Sequence, residues 1–431
     1  MIENMQKTPK SLRLQIGLFG RANVGKSSFL NYVSGQDVAI TSPVPGTTTD
    51  VVEKAMELLP LGPVMFLDTA GLDDTSVLSD LRIKKTKKIF DRADVIVLLT
   101  EPNAWSIYED EVFKEAHARK IPVIVVVNKI DQCALSDSFL EDVKKRCAKI
   151  LLCSCLDKAA KDSCVAIFKK YLIEACPDEF LNPHALISDL LIKEKLAVLI
   201  VPIDLEAPKG RLILPQVQAI RDALDGDAAV MVVKEHEYRH HLDNLKVRPD
   251  IVVCDSQVVD KMVTDTPEDI RCTTFSILFS RFKGDLVDAA RGVAVIDQLK
   301  PGDKILIAEA CSHHPIEGDI GRVKIPAWLK KYAGFDVNIE VSCGRDFPEN
   351  LSEYKLVIHC GACMLTRREM WTRIQKAREA SVALTNYGVC IAFLRGVIER
   401  VLLPFPEALV SYRETRHQAS TRSKENSCRK P

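Results

Sequence analysis

Residues 20–27 read GRANVGKS, which matches the pattern of a phosphate-binding loop: a glycine, four variable residues, and then glycine, lysine and serine. An apolar segment precedes this stretch and a helical pattern follows it, which is the context that such a loop requires. We expect Lys26 to reach the β- and γ-phosphate oxygens and the Ser27 hydroxyl to bind Mg²⁺. The nucleotide contacts predicted in this stretch and the residue after it come from Gly20, Asn23, Val24, Gly25, Lys26, Ser27 and Ser28.

Two further segments are expected to surround the γ-phosphate and the metal. Residues 68–71 (DTAG) follow an apolar segment, which places the Asp68 carboxylate near the metal and the Gly71 N–H near the γ-phosphate. Residues 45–50 (PGTTTD) lie between this motif and the phosphate-binding loop, where a switch loop supplies a threonine to the metal.

The base is predicted from residues 128–131 (NKID), which follow another apolar run. The carboxylate of Asp131 can accept two hydrogen bonds from the N1 and the exocyclic amine of guanine, a pattern that adenine cannot offer. Asn128 and Lys129 belong to the same motif. The complete set of motifs therefore predicts a site that binds GTP with Mg²⁺ and hydrolyses it.

Apolar runs alternate with helical patterns from residue 12 to residue 175, which is typical of a doubly wound, mostly parallel sheet. We therefore expect a P-loop GTPase domain of the α/β class, followed by two further α/β domains. The expected ranges are 1–176, 183–265 and 266–412, with a disordered tail at 413–431 that has six Lys or Arg, two Glu and little that could pack. Within the third domain, the pattern predicts a strand at Phe275–Phe282 and one helix at Ile391–Leu402.

Composition narrows the class of protein. Lys plus Arg and Asp plus Glu both number 59, so no global charge favours nucleic acid or an anionic membrane as a partner. The longest apolar runs have the length of strands and are too short to span a bilayer. The N-terminal sequence shows no signal-peptide core, so we expect a cytoplasmic enzyme whose 14 cysteines are mostly reduced.

A second group of candidate residues lies in the third domain. Residues 311–315 read CSHHP and residues 359–363 read HCGAC, each directly after a predicted strand. One interpretation involves no metal: the cysteines are buried and the histidines are packed in the core. A structural zinc site with three Cys and one His is chemically sensible, and so is an iron–sulfur cluster with three thiolates and a weaker or open fourth position. The spacing of these Cys and His residues does not distinguish a zinc site from an iron–sulfur cluster.

The nucleotide motifs resemble those of the translation-factor-like GTPases, and most closely the branch that contains the tRNA-modification GTPase MnmE and Era. The resemblance implies that Thr48 is the switch-one threonine, and that Ser154 lies in the loop that touches guanine. It also implies that Asn23 helps to hold a K⁺ ion that neutralises charge developing in phosphoryl transfer. Leu72 stands where Ras-like enzymes have a glutamine that orients water, so we expect slow hydrolysis that depends on another element or partner.

The combination of this domain with the Cys/His motifs resembles the HydF family, the GTPase scaffold of [FeFe]-hydrogenase maturation. The segments that carry the resemblance are 202–218, 274–286, 307–326 and 354–368. The resemblance implies that Cys311, Cys360 and Cys363 bind a [4Fe–4S] cluster, with His313 or His359 as the candidate fourth ligand. It also implies dimerisation through 183–265 and cluster binding by 266–412.

The resemblance further implies partners. Two radical-SAM hydrogenase maturases would build a diiron precursor, and the homodimeric scaffold would deliver it to the [FeFe]-hydrogenase apoprotein. The chain has no C-x-x-x-C-x-x-C motif and so is not itself a radical-SAM enzyme. The alternative is a tRNA-modification or ribosome-associated GTPase with a structural zinc site. An interaction module with a degenerate GTPase domain is disfavoured by the complete nucleotide motifs.

Overall fold

The computed structural model describes residues 9–34, 52–68, 86–182, 184–203, 212–310 and 319–428. The predicted site residues Thr48, Gly71, Cys311 and His313 lie outside these ranges. The chain divides into one compact unit at Met1–Pro183 and a second at His184–Pro431. In the described parts of the chain, no helix combines the length and the apolar character needed to cross a bilayer.

The first unit contains one mixed sheet, whose strands in the described residues have the order β2-β3-β1-β4-β5-β6. All neighbouring pairs are parallel except β2 with β3. Strands β1 and β4 are buried along their whole length, which explains their continuous apolar sequences. The strands are β1 (Leu14–Phe19), β2 (Val52–Leu58), β3 (Gly62–Asp68), β4 (Val95–Thr100), β5 (Val123–Val127) and β6 (Ile150–Leu152).

Helices connect these strands and cover the sheet. A capping box starts one of them: the Ser106 side chain accepts from the backbone at the start of the helix, and Glu109 accepts from the Ser106 N–H at 2.8 Å. Residues 86–90 are also helical. The helices with described bounds are α1 (Lys26–Ser34), α2 (Ile107–Ala118), α3 (Asp137–Arg146), α4 (Lys161–Ala175) and α5 (Asp178–Leu181).

The second unit contains two parallel sheets of four described strands each, in the orders β10-β9-β7-β8 and β12-β11-β13-β14. Strands β9, β11 and β13 are buried, which again matches their apolar sequences. The strands are β7 (Leu196–Ile200), β8 (Ala229–Val233), β9 (Ile251–Cys254), β10 (Arg271–Thr274), β11 (Lys304–Ala308), β12 (Asn338–Ser342), β13 (Leu356–His359) and β14 (Ala383–Asn386).

The helices of the second unit lie between and beyond these strands. They are α6 (Leu214–Asp225), α7 (Tyr238–Asn244), α8 (Val259–Asp265), α9 (Phe275–Lys283), α10 (Leu286–Gly292), α11 (Ile325–Ala333), α12 (Arg367–Glu379), α13 (Tyr387–Leu394), α14 (Ile398–Leu402) and α15 (Pro406–Cys428). One continuous apolar core runs from Leu186 to Tyr412 and includes residues beside both sheets. The two α/β domains are therefore packed as one body.

Three sequence-based expectations for this unit are corrected. The boundary between 265 and 266 is too early, because β10 pairs with β9 and extends the first of the two sheets to Thr274. Phe275–Phe282 is helical rather than a strand, because the Thr274 hydroxyl caps the helix by accepting from the Ile277 N–H at 3.2 Å. The helix predicted at Ile391–Leu402 is instead two helices, separated near Gly396, whose φ is +74°.

Residues 413–431 are predicted from the sequence to be a disordered tail, and in the structure α15 continues into this segment as far as Cys428. Its first turns pack on the core through Tyr412, which is fully buried. Arg413 forms an ion pair with Glu399 at 2.6 Å. The sequence from 407 to 428 contains no glycine or proline that would end the helix, so it propagates from its packed start.

Candidate functional site

The phosphate-binding loop lies between the carboxyl end of β1 and the start of α1. Asn23 has a φ of 62° and Gly25 a φ of +96°, so the backbone reverses twice in the left-handed region before the helix begins. The Phe29 N–H donates to the Gly25 carbonyl at 2.8 Å and closes the first turn of α1. Ser27 and Ser28 are exposed at this helix terminus, where a phosphate and its metal would bind.

Lys26 crosses the loop instead of pointing to solvent. It is 7% exposed, and its Nζ donates to the carbonyls of Gly20 at 2.6 Å and Arg21 at 3.0 Å. The ammonium group is therefore held at the position where the predicted phosphate oxygens would compete for it. Arg21 is itself fixed by Glu109, whose Oε1 accepts from its Nε at 2.8 Å.

The guanine motif is tied directly to this loop. Asn128 is 2% exposed, and its Nδ2 donates to the Val24 carbonyl at 2.9 Å. The Lys129 Nζ donates to the Asn23 carbonyl at 2.6 Å. Both residues thus hold the phosphate-binding loop against the base-binding side. Asp131 remains exposed, as a carboxylate that receives a base must be.

The loop after β6 completes this side of the site. The Cys155 N–H donates to Asn128 Oδ1 at 3.3 Å, so the loop orients the same amide that holds Val24. Ser154 is buried, and its hydroxyl accepts from the Leu156 N–H at 3.3 Å. The structure therefore brings the predicted residues Ser154 and Asn128 together.

The predicted metal-side carboxylate, Asp68, is at the end of β3 and is buried. Its Oδ2 lies 3.5 Å from the Nζ of Lys54, which is buried on the neighbouring strand β2. Sequence reasoning missed Lys54 because it did not identify β2. The other members predicted for this side, Thr48 and Gly71, lie outside the described residues.

The cysteine motifs lie at the carboxyl edge of the sheet β12-β11-β13-β14. Strands β11 and β13 are parallel neighbours, and Ala308 pairs with His359 at their ends. The Ala310 N–H donates to Cys360 Sγ at 3.0 Å, so the residue next to Cys311 contacts this thiol. Burial raises the pKa of Cys360 to about 11, although N–H donors from the backbone lower it.

His359 is fully buried, and both of its ring nitrogens have partners. Arg373 Nη1 lies 2.8 Å from Nε2 and can only donate, so Nε2 accepts and the proton is on Nδ1, which is 2.9 Å from the Cys360 carbonyl. Burial and the Arg373 charge lower the pKa of His359 to about 3, which keeps the ring neutral. Ligation of a metal by His359 would require one of these two hydrogen bonds to break, and its role as the fourth ligand stays a prediction.

Two features near these thiols were not found from the sequence. Lys283, at the end of α9, is 1% exposed and donates to carbonyls of the loop that contains Cys363. Burial lowers its pKa to about 8, while nearby Cys363 and Glu369 act in the opposite direction. The second feature is Cys343, which follows β12 at the same sheet edge and accepts from Arg322 Nη2 at 2.6 Å. Motif analysis does not find either residue, because both lie outside the contiguous motif at residues 359–363.

The donor set fits a soft metal or a cluster. Thiolates are preferred ligands of zinc and of iron–sulfur centres, and Cys360 and Cys363 lie in one short loop. Among the described residues no group of three Cys, His, Asp or Glu is arranged to hold a metal ion. The third predicted cysteine, Cys311, follows Ala310 directly and lies outside the described residues.

The fold and these sites define a guanine-nucleotide-binding protein of the P-loop class that also has a thiol-rich sheet edge in a separate unit. Residues 186–284 match the hydrogen maturase F dimerization domain, and residues 287–404 match the hydrogen maturase F tetramerization domain. Residues 15–129 match the 50S ribosome-binding GTPase family. The chain belongs to the hydrogen maturase F (HydF) family, and two domains named for subunit assembly support an oligomeric protein.

Curated relatives match the GTPase part of the chain. The tRNA modification GTPase MnmE of Prochlorococcus marinus (strain NATL1A) is 39% identical over 133 residues, which is 31% of this chain and 28% of that protein. MnmE of Nitrosomonas europaea is 37% identical over 122 residues, which is 28% of this chain and 27% of that protein. The chain thus spans little more than a quarter of the length of these relatives.

Solved structures with similarity to this chain include other GTPases. The G domain of the T. maritima FeoB iron transporter is 19% identical, with coverage of 37% of this chain and 98% of that chain and a TM-score of 0.29. A variant of Aquifex aeolicus Era bound to GDP and AlF4- is 20% identical, with coverage of 51% and 93% and a TM-score of 0.31.

Proposed function

We propose that this chain is a GTP-hydrolysing scaffold in [FeFe]-hydrogenase maturation, which binds a [4Fe–4S] cluster and carries a diiron precursor to the hydrogenase. The observation that carries the proposal is the match of 186–284 and 287–404 to two domains of hydrogen maturase F, joined to a GTPase domain. The loop that contains Cys360 and Cys363 (the thiol loop) lies at a sheet edge within the second matched domain, and it supports a metal role.

The nucleotide site supports binding of GTP with Mg²⁺. Asn128 joins the base side to the phosphate-binding loop through Val24, and Asp131 is exposed to receive guanine. Lys26 and Ser27 would contact the phosphates and Mg²⁺, with Thr48 as the second metal ligand. Loss of the γ-phosphate would then relax the loops around Thr48 and Gly71, so GTP acts as a switch.

A Lys26→Ala variant tests this site. We expect it to lose GTP hydrolysis, because the charge that compensates the β- and γ-phosphates is removed. Lys158→Ala, which removes an exposed lysine of the same unit, is the matched control and should retain the parental rate. Hydrolysis by Lys26→Ala at the parental rate would mean that the activity belongs to another site or to a contaminant.

Potassium is proposed as the activating ion, with Asn23 as its protein ligand. The left-handed backbone of Asn23 places this residue at the mouth of the loop, and its side chain is exposed. We expect slow hydrolysis that is faster in K⁺ than in Na⁺, and Asn23→Ala should abolish the difference between the two ions. Equal rates in both ions for the parent protein would remove the role of K⁺.

The cluster is proposed to bind at Cys311, Cys360 and Cys363. With His359 engaged by Arg373, His313 becomes the proposed protein ligand at the exchangeable fourth position. A histidine ligand is displaced more easily than a thiolate, which suits a site that must take up and release cargo. When bound, the cluster would supply a metal centre beside which the diiron cargo can be held.

Anaerobic reconstitution with iron and sulfide tests the cluster. We expect about four irons per chain and an EPR signal after reduction, which also distinguishes a cluster from zinc. Alanine at all three cysteines should abolish both, whereas Cys133→Ala, an exposed cysteine of the other unit, should not. Full iron content in the triple variant would refute the assignment.

The remaining parts of the proposal concern the cellular location, the oligomeric state and the partners of the chain. We propose that the chain works in the cytoplasm as a homodimer or a larger oligomer. It would receive its cargo from two radical-SAM maturases and transfer it to the hydrogenase apoprotein. Transfer of labelled iron from the loaded protein to apohydrogenase, with gain of hydrogenase activity, tests the carrier role. No transfer from a fully loaded protein would contradict it.

The alternative is a tRNA-modification or ribosome-associated GTPase with structural zinc. One observation favours it: the curated relatives of the GTPase domain are tRNA modification GTPases. It leaves the match of residues 186–404 without an explanation. It predicts a colourless zinc protein and RNA binding with a steep salt dependence, and both can be measured on the same preparation.

A further inference from the structure

Lys283 is buried beneath the loop that contains Cys360 and Cys363. Its Nζ lies 3.2 Å from the Ala362 carbonyl, 2.9 Å from that of Cys363 and 2.7 Å from that of Leu365. An ammonium group has three donors, so these three carbonyls account for all of them. Lys283 therefore holds the backbone of residues 362–365, the second half of the thiol loop, in place.

The loop needs such support. Ala362 has a φ of 53°, in the left-handed region that residues with a Cβ seldom adopt. Because Lys283 binds the carbonyls of the two peptides that flank Cys363, Ala362–Cys363 and Cys363–Met364, it fixes the orientation of both. The position of the Cys363 side chain follows from this constraint, so Lys283 positions a proposed metal ligand.

No carboxylate of the residues that the structure describes is paired with the charge of Lys283. Among the described residues no ion pair with Lys283 is found, and the carboxylate that acts on it from farther away is Glu369. Glu369 already accepts from Arg345 Nε at 3.0 Å and from the Thr366 N–H at 2.8 Å. A buried cation is costly unless a negative charge accompanies it. The thiol loop is the place where that negative charge would be.

We propose that Lys283 is a positioning residue that fixes the Cys360–Cys363 loop and places a positive charge beside an anionic thiolate-bound metal centre there. The proposal rests on the cluster site put forward above. A thiolate-ligated [4Fe–4S] cluster is anionic and becomes more so when it accepts an electron, so a fixed cation beside it favours the reduced form. Lys283 therefore raises the reduction potential of the centre.

Two substitutions separate charge from position. Lys283→Gln removes the charge but keeps two N–H donors for the loop carbonyls, whereas Lys283→Met removes both. Lys300→Gln removes the same charge from an exposed position of the same unit and is the matched control. Iron content, thermal melts of the metal-free proteins and EPR-monitored redox titrations are measured for each variant.

For Lys283→Gln we expect the equilibrium constant of one-electron reduction to fall at least tenfold, which corresponds to a midpoint about 59 mV lower. Lys300→Gln should titrate like the parent protein. Lys283→Met should in addition release iron to a chelator faster than Lys283→Gln does, because its loop has lost its support. If Lys283→Met does not fold, the titration of Lys283→Gln still decides the role of the charge.

The outcomes also distinguish this proposal from the one on which it rests. An iron-loaded parent protein and a Lys283→Gln variant with the same midpoint would overturn the role of the Lys283 charge and leave the cluster site intact. Equal iron release from Lys283→Met and the parent protein would overturn the positioning role. A parent protein that binds no iron after reconstitution would overturn the cluster proposal, and the Lys283 proposal with it.

Discussion

Gly25 has a left-handed backbone conformation and lies close to the Asn128 side chain. Its replacement by alanine therefore tests the geometry of the nucleotide site. Its φ of +96° is strained for any residue with a Cβ, which costs about 1–3 kcal/mol. A Cβ built at this position would approach Asn128 Nδ2 more closely than 3.0 Å, a separation that real Cβ atoms essentially never show. To relieve the clash, the amide must move and weaken its 2.9 Å bond to the Val24 carbonyl, at a further cost of about 1–3 kcal/mol.

Together these terms come to about 2–6 kcal/mol. We expect the loop of Gly25→Ala to relax away from this conformation when no nucleotide is bound, so that the cost is expressed when GTP binds and requires it. Since each 1.4 kcal/mol corresponds to a factor of ten, the affinity of Gly25→Ala for GTP should fall at least roughly 30-fold. Titration with a fluorescent GTP analogue measures this loss directly.

Gly302→Ala is the matched control, because Gly302 has nearly the same φ, +94°, but nothing lies within 4 Å of its added Cβ. This variant should lose some folding stability without any change in GTP affinity. If Gly25→Ala bound GTP as tightly as the parent protein, both the assigned loop conformation and the linkage of Asn128 to Val24 would be wrong.

Three further predictions concern stability and are measured by urea unfolding. Ser106→Ala removes the cap of α2 and should cost about 1 kcal/mol, whereas Ser106→Asp should retain most of the stability; equal values for both would exclude the cap. Gly292→Ala should cost about 1–3 kcal/mol or more, since its Cβ would clash with the Leu384 carbonyl, and an unchanged midpoint would contradict this packing. Burial raises the pKa of Tyr238 to about 12, above its usual value of 10, so folding disfavours the phenolate. The free energy of unfolding should therefore fall as the pH rises from 10 to 12, by an amount on the order of 2–3 kcal/mol that Tyr238→Phe does not lose.

The strands that sequence analysis located best are those buried on both faces. β4 and β5 are continuous apolar runs, because a parallel sheet covered on both sides gives each position an apolar environment. β2 was missed because it is an antiparallel edge strand with a mixture of polar and apolar residues, VEKAMEL. The segment Phe275–Phe282 was misread because a buried helix and a buried strand have similar apolar content, and only the cap at Thr274 distinguishes them.

The residues of the candidate site also differ in whether a local sequence pattern identifies them. The phosphate-binding loop and the NKID motif are contiguous stretches whose chemistry is carried by a few successive residues, so their spacing identified them. Lys283 contacts the thiol loop about eighty positions along the chain, and Lys54 meets Asp68 across two strands. No local pattern links such pairs, because only the packing of the folded chain creates them.

The engagement of His359 bears on how a carrier can bind metal loosely. To ligate through Nε2, this ring would have to give up the 2.8 Å bond from Arg373 and leave a buried guanidinium to find another acceptor. To ligate through Nδ1, it would have to lose its proton and its bond to the Cys360 carbonyl, which helps to define the thiol loop itself. Either route disturbs the site that it would complete. A fourth ligand drawn from elsewhere in the chain, or from the cargo, avoids this cost. The packing around His359 therefore supports the proposal of an exchangeable fourth position, because both of its ring nitrogens already have partners.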